Sequence, residues 1–289
     1  MTQNHHCDAQ CSTIEIAWVV LVIAAAILGG CALFSAPVWR WLFLAAGLFS
    51  ALGAMAVGIN VEWLAALDVS VETWVGAHRS RWLEEAVGIF RFIGQPVRGA
   101  SVAVVCGALL SLHARSAIPG FLVVSGVGFG VVAERTVKAI VGRTSTAVAE
   151  LQSRRDLLYF EHSFPSGPVT VGAVLLGMIA VCLGVGRSRP VKVALAVPAV
   201  AGVLFVAFVS VYSEPHVFTD VIGGLILGGA IVSLGAAVLG ATHYTRRDSA
   251  AAPVAPVDLT AGSAGAKRAG MRGIVGMLWW RRRWPGLVL

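Results

Sequence analysis

The sequence predicts an all-α fold, a polytopic membrane helical bundle of about seven transmembrane helices. Two observations lead there. Of 289 residues, 57 % are hydrophobic and only 13 % charged, against about 25 % charged in an ordinary soluble domain. So few charges cannot cover a water-facing surface, so the chain needs lipid as a second solvent. The apolar residues also fall into separate runs, most of them close to the ~20 residues that cross a bilayer as a helix.

The runs come in order. The first covers 14–34 and the second 41–59. A mixed stretch follows at 60–95, carrying Glu62, Asp68, Glu72, Arg79, Arg81, Glu84, Glu85 and Arg91 among apolar residues at helical spacing. Those charges make a lipid crossing costly, so this stretch is expected as interfacial helix packed on the bundle. Apolar runs resume at 97–112 and 118–133. A polar loop is expected over 134–164, then runs at 169–185, 193–212 and 217–239. From Thr242 onward Ala, Pro, Gly, Ser and Thr dominate, as in a flexible linker. The final Trp279-Trp280-Arg281-Arg282-Arg283-Trp284 suits either a headgroup layer or an unstructured tail.

The formal net charge of +7 does not indicate nucleic acid, because the basic residues lie in gaps between apolar runs and in the tail rather than on one polar domain. With seven spans, Arg40, Arg115, the group Arg187, Arg189 and Lys192, and Arg246 with Arg247 all fall on one side. The N-terminal tail on the other side has Asp8 and Glu15 but no Lys or Arg. The positive-inside rule then places the N-terminus outside and the C-terminus in the cytoplasm of a multi-pass cell-membrane protein. The basic loop 134–164 breaks the rule, as a functional loop can. The first apolar run is too long for a signal-peptide core and has no basic flank before it.

Of the five cysteines, Cys31, Cys106 and Cys182 lie in apolar runs and behave as small hydrophobes. His5, His6, Cys7 and Cys11 lack a second Cys/His pair at finger spacing and read as tail, not as a metal site.

Chemistry-bearing residues gather on the outer side. Lys138, Arg143, Arg154 and Arg155 lie in one external segment. Ser166 and Gly167 open the fifth span, Glu214 and His216 lie in the last external turn, and Asp220 opens the seventh span. Cations and a helix N-terminus favour an anion such as phosphate. His216 and Asp220 are spaced to share a helix face. A carboxylate beside an imidazole fixes its tautomer and supports its charged form. By itself such a pair is more often a helix cap.

Order and spacing add to this. Lys138-Ala-Ile-Val-Gly-Arg143-Thr-Ser145-Thr146, then Phe164-Pro165-Ser166-Gly167-Pro168, then Val209-Ser210 followed by His216 and Asp220, resemble the three motifs of the membrane type-2 phosphatidate phosphatase superfamily, which shares its core with vanadium haloperoxidases. Trp74 to Ser80 and Phe92 to Pro96 resemble the region before that core. The resemblance covers roughly 41–239. It implies a six-helix phosphatase core plus one added N-terminal span. The organisation expected is then a tail at 1–13, the added span at 14–40, a phosphatase-like membrane domain at 41–240 and a flexible basic tail at 241–289.

The resemblance also implies roles. His216 attacks phosphorus, Asp220 orients it, and Lys138, Ser166 and Gly167 hold phosphate. Arg143, outside the motif match, is expected to join them on phosphate, with Arg154 and Arg155 as further cations that compensate for the lost motif arginines. The substrate is a lipid phosphate at the outer leaflet, with no metal or other cofactor. Three motif positions depart: Arg-Pro is Ser145-Thr146, the acid histidine is Pro168, and Ser-Arg is Val209-Ser210. A positioned acid contributes about 10²–10⁴ in rate and each donor to developing charge about 10²–10³, so reduced turnover is expected. His162 is the substitute acid the spacing suggests. The alternative is a phosphatase-like scaffold that binds phospholipid without turnover. A transporter would carry charged or broken positions deep in its spans, and these spans have almost none.

Overall fold

The computed structural model describes residues 2–59, 62–85, 87, 96–143, 163–213 and 216–251. They form the helices α1 (Thr2–Phe34), α2 (Pro37–Gly58), α3 (Glu62–Ala77), α4 (Pro96–Ala114), α5 (Ala117–Val141), α6 (Gly167–Gly184), α7 (Arg189–Tyr212) and α8 (Phe218–Ala251). Six of them contain stretches long and apolar enough to cross a membrane, and α4 supplies a shorter apolar stretch at Arg98–Ala114. Each expected span therefore has its helix.

The helix ends follow the local sequence. Ser35 and Ala36 turn the chain between α1 and α2, and Pro37 sits in the first turn of α2, where its missing N–H costs nothing. Arg40 donates from Nε to the Ala32 carbonyl at 3.2 Å and from Nη2 to the Leu33 carbonyl at 3.3 Å, satisfying oxygens that α1 leaves free at its end. Ser116 caps α5, its Oγ accepting from the Ile118 N–H at 3.4 Å. Gly142 ends α5 at φ 64°, a left-handed conformation that glycine adopts without strain, and its N–H bonds the Lys138 carbonyl at 2.9 Å.

Three boundaries differ from expectation. The polar loop does not start at 134, because α5 continues to Val141. Glu134 and Lys138 lie one turn apart and neutralise each other, so the helix carries both. The segment before residue 14 is helical from Thr2, in a stretch that has neither Gly nor Pro to stop it. α8 runs past Thr242 to Ala251, the last of the described residues. The expected linker and the aromatic-arginine end lie outside the described residues from 252 onward.

The main core draws on α2, α4, α5, α6 and α8 through residues such as Leu52, Ala103, Val123, Val174, Met178 and Leu227. A smaller cluster of Val75, Val87, Val209 and Tyr212 fixes the end of α3 against α7. Large apolar side chains such as Val105, Leu109, Phe121, Val132 and Val197 point outward, as a lipid-facing surface requires. α6 and α8 pack through small residues. A Cβ on Gly224 would lie 2.7 Å from the Ser166 carbonyl, and one on Gly228 would lie 2.5 Å from Ala173 Cβ. This close approach sets the start of α6 beside the start of α8.

Candidate functional site

The site forms where α5 ends and α6 and α8 begin. Phe164, wholly buried, packs where Gly223 leaves room for its ring, and the Phe164–Pro165 peptide bond is cis. The Ser166 N–H donates to the Asp220 carbonyl at 2.9 Å, joining the entrance of α6 to that of α8. Ser166 is the N-cap of α6, yet its hydroxyl makes no capping bond. Its Oγ is fully buried and has no hydrogen-bond partner among the described residues. A serine at an N-cap normally spends its oxygen on its own helix. Here that oxygen and the first N–H groups of α6 are left for something else.

His216 and Asp220 open α8. His216 is 8 % exposed and Asp220 fully buried. His216 Nδ1 faces Asp220 Oδ2 at 3.7 Å, beyond hydrogen-bond length, and has no partner among the described residues. With Nδ1 turned to the carboxylate, the ring presents Nε2 on its opposite edge. The same Oδ2 accepts from the Val217 N–H at 3.3 Å, which fixes the carboxylate at the helix entrance.

Asp220 is held from its other side. Arg143 Nη1 donates to Asp220 Oδ1 at 3.2 Å and to Thr219 Oγ1 at 2.6 Å, while Nη2 donates to Asp68 Oδ2 at 2.7 Å. Asp68 in turn accepts from the Thr219 N–H at 2.8 Å and from its hydroxyl at 2.7 Å. One guanidinium thus sits between two buried carboxylates, which is how charges are tolerated in a bundle interior. Among the described residues the Arg143 guanidinium meets these groups, and it holds the Asp220 carboxylate in place.

Lys138 Nζ meets Glu134 Oε1 at 2.6 Å, with both side chains mostly buried. The same carboxylate lies against the start of α6: a Cβ on Gly167 would come 3.0 Å from Glu134 Oε1. Lys138, Ser166, Gly167, His216, Asp220 and Arg143 are therefore joined through shared neighbours at one end of the bundle. His162, Ser145, Arg154, Arg155 and Glu214 lie outside the described residues. At the two other departing positions the structure shows local reasons. Pro168 occupies the first turn of α6, a favoured proline position. Ser210 Oγ donates to the Val206 carbonyl at 2.8 Å, within its own helix. Arg79 comes close to the end of α7, its Nη2 donating to the Tyr212 carbonyl at 3.2 Å.

Sequence reasoning missed Asp68, Glu134 and Thr219. Thr219 had a weak signal as the neighbour of Asp220. Glu134 had a better one, because it precedes Lys138 by one turn. Asp68 had none beyond its place among the charges of the mixed stretch. Among the described residues, no group of three or more His, Cys, Asp or Glu is placed to hold a metal ion.

Comparison with known proteins agrees with this fold. Residues 119–243 match the model of the PAP2 superfamily, which spans α5 to α8 and every site residue except Asp68. No curated protein matches the chain. Among solved structures, the first transmembrane PAP2 type phosphatidylglycerolphosphate phosphatase from Bacillus subtilis shares the fold, with a TM-score of 0.58 and 20 % identity over 70 % of this chain and 96 % of that one.

Proposed function

From a chain whose residues 119–243 match the PAP2 superfamily and whose helices take a membrane PAP2 fold, we propose a lipid-phosphate phosphatase that works through a phosphohistidine at His216. The observation that carries this reading is a pair of buried polar atoms, Ser166 Oγ and His216 Nδ1, without hydrogen-bond partners among the described residues, at one helix junction. A buried polar group without a partner costs about 1–3 kcal/mol. A bound phosphate gives the Ser166 hydroxyl an acceptor, and phosphorylation at Nε2 makes His216 Nδ1 an N–H donor facing Asp220.

In the proposed reaction the lipid phosphate seats its oxygens against the Ser166 hydroxyl and the N-terminus of α6, with Lys138 supplying charge. His216 Nε2 attacks phosphorus and the P–O bond to the lipid breaks. Asp220, steadied by Arg143, supports the charge that develops on the ring. Water then attacks phosphorus, the P–N bond breaks and phosphate leaves. The chain needs no cofactor for these steps. The substrate is a membrane lipid bearing a phosphomonoester or diphosphate, met at the extracytoplasmic face of the cell membrane, with the N-terminus on that face and the C-terminus in the cytoplasm.

Turnover is slower than a full motif set supports. Ser145, Pro168 and Ser210 replace the two arginines and the acid. A second reading, phosphate or phospholipid binding without turnover, draws on the pairing of Lys138 with Glu134 and of Arg143 with Asp68 and Asp220. The test is phosphate release in detergent from phosphatidate, phosphatidylglycerol phosphate and polyprenyl phosphates, with His216→Ala beside the native protein. Release above that variant's on any substrate supports the enzyme. Equal release on all of them leaves the binding reading.

A further inference from the structure

Position 168, where the resembled motif carries its proton-transferring histidine, is a proline without any titratable group. The reaction still moves a proton at two moments, onto the lipid oxygen as it leaves and off water as it attacks the phosphohistidine. A group within reach of the start of α6 must therefore move it, if phosphate is turned over at all.

Glu134 occupies that place. Its carboxylate is mostly buried on the last turns of α5, 2.6 Å from Lys138 Nζ. It lies so close to Gly167, the residue before Pro168, that a Cβ there would stand 3.0 Å from Oε1 and 3.3 Å from Cδ. Gly167 is thus what lets an acidic side chain from a neighbouring helix reach the entrance of α6. The neighbouring Ser166 connects by its N–H to the Asp220 carbonyl at 2.9 Å, so the α6 entrance that Glu134 reaches is tied to the entrance of α8. A buried glutamate needs a reason. Pairing with Lys138 alone does not explain why it faces the phosphate-binding end of α6, where a second anion is to bind.

We propose that Glu134 is a catalytic residue that takes over the proton transfers for which position 168 has no group. This rests on the phosphatase reading above. In the first half-reaction His216 Nε2 bonds to phosphorus, the bond from phosphorus to the lipid oxygen breaks, and that oxygen takes its proton from the Glu134 carboxyl. In the second, Glu134 takes a proton from water as the water oxygen bonds to phosphorus, and the P–N bond electrons return to His216. The proton that Glu134 first gives comes from the phosphate monoester monoanion as it seats on Lys138. The proton taken from water passes on to the departing phosphate, which carries the oxygen from water and leaves Glu134 paired with Lys138 again. Lys138 holds the carboxyl in place in the resting site and turns to the phosphate when it arrives.

The experiment compares native protein, Glu134→Gln, Glu134→Asp and His216→Ala in detergent, on a short-chain alkyl phosphate and on p-nitrophenyl phosphate. Glutamine keeps the size and a hydrogen bond to Lys138 but moves no proton. With nitrophenolate, a leaving group that needs no acid, Glu134→Gln is expected to keep a first-turnover burst of nitrophenol while its steady state falls about 10²–10⁴-fold. Release from the alkyl phosphate falls by a similar factor without a burst, and Glu134→Asp recovers part of it. Release by Glu134→Gln equal to native on both substrates overturns the proposal. So does loss of burst and steady state in the same proportion, which marks a structural glutamate. If native protein and His216→Ala are equally silent on both substrates, the phosphatase reading itself fails and takes this one with it.

Discussion

Arg143 and Asp68, 75 residues apart in the chain, meet at 2.7 Å in the interior of the bundle. Arg143 and Asp68 keep only 17 % and 7 % of their side-chain surface exposed. The pair brings α3 to the entrance of α8, because Asp68 also takes both the N–H and the hydroxyl of Thr219. A helix that looked peripheral in sequence thus supports the aspartate beside the proposed nucleophile.

Removing Arg143 should therefore cost more than removing Asp68. Arg143→Ala leaves two buried carboxylates without their cation, a change that destabilises by about 3–5 kcal/mol. Asp68→Asn leaves Arg143 its contact with Asp220 and retains an acceptor for Thr219, so its loss should be smaller. A double-mutant cycle read by thermal unfolding in detergent checks this. If the two single losses simply add, the contact contributes nothing of its own.

Gly167→Ala separates stability from activity. The atoms a new Cβ would meet belong to the end of the flexible Glu134 side chain, 3.0–3.6 Å away. That carboxylate can swing aside, and alanine is the better helix former. The melting temperature should hardly change. Phosphate release should fall by about 10²-fold, the scale on which a misplaced catalytic group is felt. A variant that melts early would show the glycine serving packing alone.

The bundle was legible because apolar run length dictates spans in lipid, where every backbone group must bond within its own helix. The convergence of Lys138, Ser166 and His216 followed from counting those spans. What the sequence hid was partnership across helices. Nothing at Asp68 says that its carboxylate reaches Thr219, because that contact depends on how α3 docks on α7 and α8. Glu134 was hidden for a different reason. Charges at 134 and 138 look like the end of a span until their mutual neutralisation is seen to carry α5 on to Val141.

The proposed orientation has a check within the native chain. Cys7 and Cys11 precede the first span, whereas Cys31, Cys106 and Cys182 lie within apolar helices. A membrane-impermeant maleimide added to intact cells should label the chain, and Cys7→Ser with Cys11→Ser together should abolish that labelling. Labelling that appears only after the cells are opened would put the N-terminus in the cytoplasm and, with seven spans, the site on the same inner face.

The most direct test of the eroded motif is to restore it. Pro168 lies in the first turn of α6, so Pro168→His gives up a favoured helix start. The new imidazole adds a titratable group at the entrance of α6, together with the backbone N–H that proline lacks, one more donor at an anion-binding terminus. With Lys138, Ser166, His216 and Asp220 already in place, release from a lipid phosphate should rise. A positioned acid is worth about 10²–10⁴, and part of that range should appear in the Glu134→Gln background, where the native route for the proton is closed. Rescue there and a smaller gain in the native background would show that the two groups serve the same step. A Pro168→His protein that is folded by its unfolding curve yet no faster in either background would mean that proton transfer does not limit this site, and that the missing arginine positions at Ser145 and Ser210 hold the rate down instead.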